Sequence, residues 1–171
     1  KLGYWCGPDG FGETEEDAEK RSRQIIDLVE KYEALPKDIE WHFIGHLQTN
    51  KVKYIVPFVS LIHSVDSEKL LSVIESEAAK CDRVVDCLLE IHVAQEDSKY
   101  GFTPDSCREL LQGGFSEKYP HVRICGLMGM ATQTDDEDCI EREFSALKKL
   151  FDEVKGSSSV DSSAFCELSM G

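Results

Sequence analysis

Two histidines four residues apart, His42 and His46, are among the first residues along the chain that could do chemistry. On a helix that spacing would bring both rings to one metal ion. Here they sit in the apolar run WHFIGHL, which reads as a strand. Residues four apart on a strand share a face but stand too far apart to chelate easily. No Glu-containing zinc motif surrounds them, so a zinc site is disfavoured. The wider stretch HFIGHLQTNK reads as a strand-to-helix turn at Gly45, opening on the strand's C-terminal end. Further on, His92 comes late in the apolar run VVDCLLEIHV, ahead of AQEDSKYGF. A histidine there can stack on a planar ring or hydrogen-bond a substrate, or it can be a satisfied structural histidine. Lys99, in the loop that follows, reads most simply as a solvated charge. In GLMGMAT, Met128 and Met130 with two glycines could pack on a flat cofactor, although Met at this spacing is more often plain core. Finally, ELSMG places Ser169, Met170 and Gly171 after a strand, where exposed backbone N–H groups can hold a phosphate.

These residues need elements to position them, and the chain supplies an alternation of short apolar runs with longer amphipathic ones. Residues Thr14 to Leu35 read as a helix: Thr14 can cap it, and Ile25, Leu28, Val29 and Tyr32 form its apolar stripe. Pro36 ends it. Strands are expected over Trp41 to Leu47, Leu61 to Val65, Arg83 to Val93, Val122 to Met130 and Ala164 to Ser169. Between them come a short helix over Asn50 to Val56, a helix capped by Ser67 and carrying Leu70, Leu71, Ile74 and Ala78, and a helix opened by Thr103-Pro104-Asp105 and running through Leu111. A long helix over Asp135 to Val154 carries Ile140, Phe144, Leu147 and Phe151 on one side. A Ser-rich loop, Lys155 to Ser163, precedes the last strand. Strand then helix, repeated, argues for a parallel sheet with helical crossovers, and in such folds the C-terminal ends of the strands carry the site.

The 171 residues suffice for one domain with a hydrophobic core, and 41% apolar with 30% charged residues is ordinary for a globular chain. Lys plus Arg number 19 against 33 Asp plus Glu, a net charge of −14 that disfavours nucleic-acid binding. A small anion remains possible, because one helix N-terminus can hold a phosphate locally. Seven cysteines, with no Cys-x-x-Cys pair, read as reduced thiols in a cytoplasmic protein. No run of about 18 apolar residues is present, so no membrane span is expected. The first ten residues do not read as a signal peptide, and they lack an initiator Met.

Taken in order, the runs EALPKDIEWHFIGHLQTNKVKYI, LIHSVDSEKLL, HVAQEDSKYGFTPD, VRICGLMGMAT and ELSMG resemble the pyridoxal phosphate homeostasis protein family, from about Val29 to Gly171. The resemblance implies a (β/α)8 barrel of the alanine racemase type that binds pyridoxal 5′-phosphate (PLP) as an aldimine. It implies a carrier that buffers and delivers the cofactor without established turnover, its partners being PLP and PLP-dependent apoenzymes. By the same resemblance Ser169, Met170 and Gly171 correspond to the phosphate-binding turn and Met128 lies near the cofactor ring. His92 stands where Asn is common, in reach of that ring, and Phe11-Gly12-Glu13 matches the start of a family FGEN strand, with Thr14 in place of Asn.

The departures from the family pattern are as informative. The family's Schiff-base lysine lies in an A-V-S-K strand upstream of FGEN, and that strand is absent; Lys1 is the only upstream lysine and stands closer to Phe11 than the family's does. No catalytic residue is therefore assigned. The R-I-G-T strand that completes the phosphate site is also absent, and residues 1 to 28 are atypical. The expectation is a single partial barrel domain over residues 1 to 171, cut at both ends, with about six of eight strands. Its open edges should make it less stable and prone to associate, as a monomer or homodimer. PLP binding should be weak and noncovalent, or lost. Two other readings stand beside this one: an amino-acid racemase or related lyase on the same barrel, and an interaction module with no cofactor.

Overall fold

The computed structural model describes residues 3–5, 15–94 and 100–171. In chain order the elements are β1 (Gly3–Trp5), α1 (Glu15–Ala34), β2 (His42–Ile44), a 3-10 turn (Thr49–Lys51) leading into α2 (Val52–Ile55), β3 (Leu61–Val65), α3 (Glu68–Lys80), β4 (Val85–Glu90), α4 (Pro104–Gln112), α5 (Phe115–Lys118), β5 (Val122–Gly129), α6 (Glu137–Lys155) and β6 (Glu167–Met170). The six strands form one sheet in sequential order, and every neighbouring pair is parallel. Parallel neighbours cannot be joined by a hairpin, so each connection must cross over the sheet.

Local chemistry sets the helix boundaries. The Ser67 hydroxyl accepts from the Leu70 N–H and starts α3, whose inner face is Leu70, Leu71, Ile74 and Ala78, as the spacing predicts. Thr103 accepts from the Ser106 N–H, with Pro104 at the first helical position of α4. Asp136 accepts from the Cys139 N–H at the start of α6. Each such cap contributes about 1 kcal/mol by satisfying an orphan helix donor. Arg83 donates to the carbonyls of Val56 and Val59, fastening the turn before β3 to the turn before β4.

The sheet has two different faces. Ile62, Leu89, Ile124 and Leu127 join the main core with helix residues such as Leu28, Leu71, Ile74 and Leu147. Their chain neighbours Leu61, Leu88, Cys125 and Met128 form a separate cluster made of strand residues alone. Side chains alternate along a strand, so one face is covered by helices and the other closes on itself. A contact across that second face shows the closure. His63 Nδ1 on β3 lies 3.1 Å from Ser169 Oγ on β6. In a flat sheet strands three apart would be separated by roughly 14 Å. The sheet is therefore curled into an incomplete (β/α)8-type barrel with a polar layer inside it. Gly126 makes the last pairing possible: a Cβ there would lie 2.6 Å from the carbonyl carbon and 3.1 Å from the Cα of Glu167, its partner on β6.

Several expectations are adjusted. The FGE strand start, residues 11 to 13, lies outside the described residues, as do Lys1, Thr14 and Lys99; the described first strand is Gly3–Trp5. The short helix α5 was not expected. The buried face of α6 is Cys139, Glu143, Leu147, Leu150, Phe151 and Val154, with Ile140 and Phe144 only half-buried. The face is turned because Glu143, a charged residue, occupies the inside: its carboxylate accepts from the Thr132 N–H at 2.7 Å and from the Thr132 hydroxyl at 2.8 Å.

Candidate functional site at the strand ends

The register brings three residues of neighbouring strands into one row at the C-terminal end of the sheet: Glu90 on β4, Met128 on β5 and Ser169 on β6. The row depends on an irregularity. Cys87 pairs with Ile124 but Leu88 pairs with Gly126, so β5 carries one extra residue, Cys125, before Met128 comes level with Glu90. Bulges of this kind re-aim side chains near sites. Met128 is buried against Leu61, Leu88 and Cys125, giving the row an apolar centre with a carboxyl on one side and a hydroxyl on the other.

Histidines hold the polar end. His63 Nε2 lies 3.1 Å from His42 Nδ1, while its Nδ1 meets Ser169 Oγ. Burial, and then the neighbouring His42, push the His63 pKa down to about 4, so the ring is neutral near pH 7. At the other end of the row, burial raises the Glu90 carboxyl to about 7; Asp66 adds to the rise and His46 opposes it. His46 Nδ1 lies 3.3 Å from Asp66 Oδ2, and its ring packs against Tyr100 with centroids 4.6 Å apart. Asp66 also accepts from the Ser67 hydroxyl at 2.8 Å. The strand ends thus carry a proton-sharing carboxyl, an apolar wall, and a hydroxyl backed by two imidazoles.

The residues named from sequence fall differently within this frame. Ser169 and Met128 are adjacent members of the row. His92 lies two residues beyond Glu90, half-buried, and its N–H donates to the Phe102 carbonyl at 3.0 Å. Gly101, at φ +98°, permits that closure, since a Cβ there would sit 2.9 Å from the His92 nitrogen. Met170 is not brought into the row. It alternates to the other face, is partly exposed, and lines an open groove of about 580 Å³ with Glu141, Phe144 and Lys148 of α6. The Gly171 N–H is already engaged by the Gly129 carbonyl at 3.2 Å, and the Gly171 carbonyl accepts from Ala131 at 2.9 Å.

His63, Glu90 and Asp66 escaped the sequence reading. The signal for the first two was a polar residue inside an apolar strand, His63 in LIHSV and Glu90 in VVDCLLEIHV. His42 and His46 do not share a ligand; each pairs with a different neighbour, His63 and Asp66. Among the described residues no three His, Cys, Asp or Glu side chains gather as a metal site. None of the six strands contains a lysine, and no helix among the described residues is long and apolar enough to cross a membrane.

These features have counterparts in known proteins. Residues 26–167 match the family model described as the alanine racemase N-terminal domain. The chain is 37% identical over 169 residues to a pyridoxal phosphate homeostasis protein of Aquifex aeolicus, covering 98% of this chain and 68% of that one. It is 36% identical over 157 residues to the protein of the same name from Helicobacter pylori, covering 91% and 66%. Among solved structures, PipY of Synechococcus elongatus without PLP superposes with a TM-score of 0.74 at 27% identity, covering 87% of this chain and 67% of that one. The same protein with PLP bound superposes at 0.70. The chain spans about two thirds of the length of these relatives.

Proposed function

Because this chain belongs to the pyridoxal phosphate homeostasis protein family, built on the alanine racemase N-terminal domain, we propose that its strand-end row binds pyridoxal 5′-phosphate noncovalently. In the cell it takes part in holding and handing on that cofactor, as a carrier rather than an enzyme. The observation that carries this reading is the register of Glu90, Met128 and Ser169. A flat ring needs an apolar wall, and Met128 offers one. A phosphate needs a donor, and the Ser169 hydroxyl stands level with that wall. A carboxyl beside a dianion would ordinarily repel it, but Glu90 is half-protonated near pH 7, which removes much of that cost.

The residues present fit one wall of a PLP site. When bound, the cofactor would supply an electron-withdrawing ring and a reactive aldehyde that an amine can attack. None of the described strands offers the amine for that bond, so no covalent step is assigned to it. His92, two residues past Glu90, would close over a ring edge. Met170 in β6 and Gly171 just after it would contribute through their backbone, which fixes Ser169. Recipients of the cofactor would be PLP-dependent apoenzymes, and the protein would work in the cytoplasm as a monomer or homodimer.

The experiment is an absorbance titration with PLP, followed by borohydride and mass measurement of the protein. The reading expects a perturbed cofactor spectrum that dialysis reverses and no mass increase after reduction. A stable reduced adduct at a single lysine would replace it with a Schiff-base site, and an unperturbed spectrum would remove PLP altogether.

A second reading has one observation in its favour. Glu90, with a carboxyl near pH 7 and the His46–Asp66 pair beside it, is poised for proton transfer, as an amino-acid racemase requires. Alanine racemisation measured with added PLP, in wild type and Glu90→Gln, separates this reading from the carrier.

A further inference from the structure

We infer that His42, His63 and Ser169 form a hydrogen-bond chain whose protons all turn toward a bound phosphate, which makes both histidines positioning residues of an anion site. The inference rests on the PLP reading above and adds to it the residues that set the polarity of Ser169.

The geometry leaves few alternatives. His63 is buried, and both its ring nitrogens are engaged, Nε2 with His42 Nδ1 at 3.1 Å and Nδ1 with Ser169 Oγ at 3.1 Å. A neutral imidazole has one N–H and one bare nitrogen, so the chain can run in only two directions. In the first, the Ser169 O–H donates to a bare His63 Nδ1, and the His63 Nε2–H donates to a bare His42 Nδ1. Ser169 then presents only lone pairs to the site, which repel an anion. In the second, the His42 Nδ1–H donates to His63 Nε2, the His63 Nδ1–H donates to Ser169 Oγ, and the Ser169 O–H is free to donate outward. With both rings neutral, each keeps one proton in either arrangement, so no charge is created or lost. The switch is a change of tautomer in two rings and a rotation of one hydroxyl.

An unprotonated phosphate oxygen at Ser169 is compatible with the second arrangement alone. It also strengthens it, because donors in series polarise one another. Burial matters here for a plain reason: a ring kept neutral near pH 7 can reverse its polarity, whereas a protonated ring can only donate. The path crosses the barrel interior from β2 through β3 to β6. An anion at β6 is thereby felt at His42 on β2, although β2 and β6 are not neighbours in the sheet.

The test is nuclear magnetic resonance of the full chain with nitrogen-labelled histidine, titrated separately with inorganic phosphate and with PLP. The expected result is that the His63 Nδ1 signal moves to that of a protonated nitrogen and the Nε2 signal to that of a bare one, with either ligand, and that Ser169→Ala removes the change. Affinity gives an independent reading. His42→Leu deletes the first donor and should weaken phosphate binding about three- to tenfold. His42→Asn keeps an N–H near the Nδ1 position and should bind within about twofold of wild type. Binding of either ligand with His63 Nδ1 still bare overturns the inference and leaves the PLP reading intact. A tautomer change with PLP but not with phosphate overturns the assignment to the anion. Failure of the wild-type chain to bind either ligand overturns both the inference and the reading on which it rests. If His42→Leu does not fold, the wild-type tautomer measurement still decides.

Discussion

Replacing Glu90 by Gln should stabilise the protein, and increasingly so as the pH rises. Glu90 titrates near pH 7 in the folded chain against an ordinary value of 4.5, chiefly because it is buried and secondly because Asp66 is close. The sign follows from linkage. An acid whose pKa is raised by folding binds its proton more tightly in the folded state, so stability is greatest below about pH 4.5 and falls as pH climbs through 7. A shift of about 2.5 pH units corresponds to about 3 kcal/mol. Nearly all of it should be lost by about pH 8, and less than about 1 kcal/mol at about pH 5. Gln keeps the shape without the charge. Urea unfolding of wild type and Glu90→Gln at about pH 5 and about pH 8 measures the effect, with the variant ahead by about 3 kcal/mol at the higher pH and by under about 1 at the lower. A variant no more stable than wild type at the higher pH would refute the placement of Glu90 in a partly desolvated corner beside Asp66.

His63 imposes the opposite slope. Its folded pKa of about 4 lies below the ordinary 6.5, so unfolding takes up a proton and stability falls as pH drops from about 6.5 toward 4; His63→Gln should flatten urea-unfolding stability over that window. Gly126→Ala should cost about 1–3 kcal/mol in urea, since the new methyl meets the Glu167 backbone rather than a flexible side chain. It should also weaken PLP binding by displacing Ser169. Ser67→Ala should lower stability by about 1 kcal/mol through loss of the α3 cap, with little effect on ligand affinity.

Much of the architecture was legible because the elements are locally determined. The spacing of Leu70, Leu71, Ile74 and Ala78 after Ser67 predicts the observed helix and its buried face, and LIHSV is a strand over its full length. The alternation of elements gives the parallel order. The site was only half legible. Ser169 and Met128 were named through family resemblance, but that they stand in one row with Glu90 depends on a one-residue shift at Cys125, which no local pattern announces. His63 reads as a misplaced polar residue in a strand until curvature brings β6 across to it. The rotated face of α6 eluded the apolar spacing because its inner position is held by Glu143, whose burial is compensated by Thr132 in the loop between β5 and α6. The Met170 side chain stays out of the row through strand alternation: if Ser169 faces the interior, its neighbour's side chain faces away.

Calorimetric titration of the wild-type chain and its Ser169→Ala variant with PLP tests the central claim most directly. The account predicts saturable, reversible binding to wild type, weakened about tenfold in the variant through loss of one hydrogen bond to a charged group. Equal affinity in the two proteins, or no heat of binding in either, would contradict it.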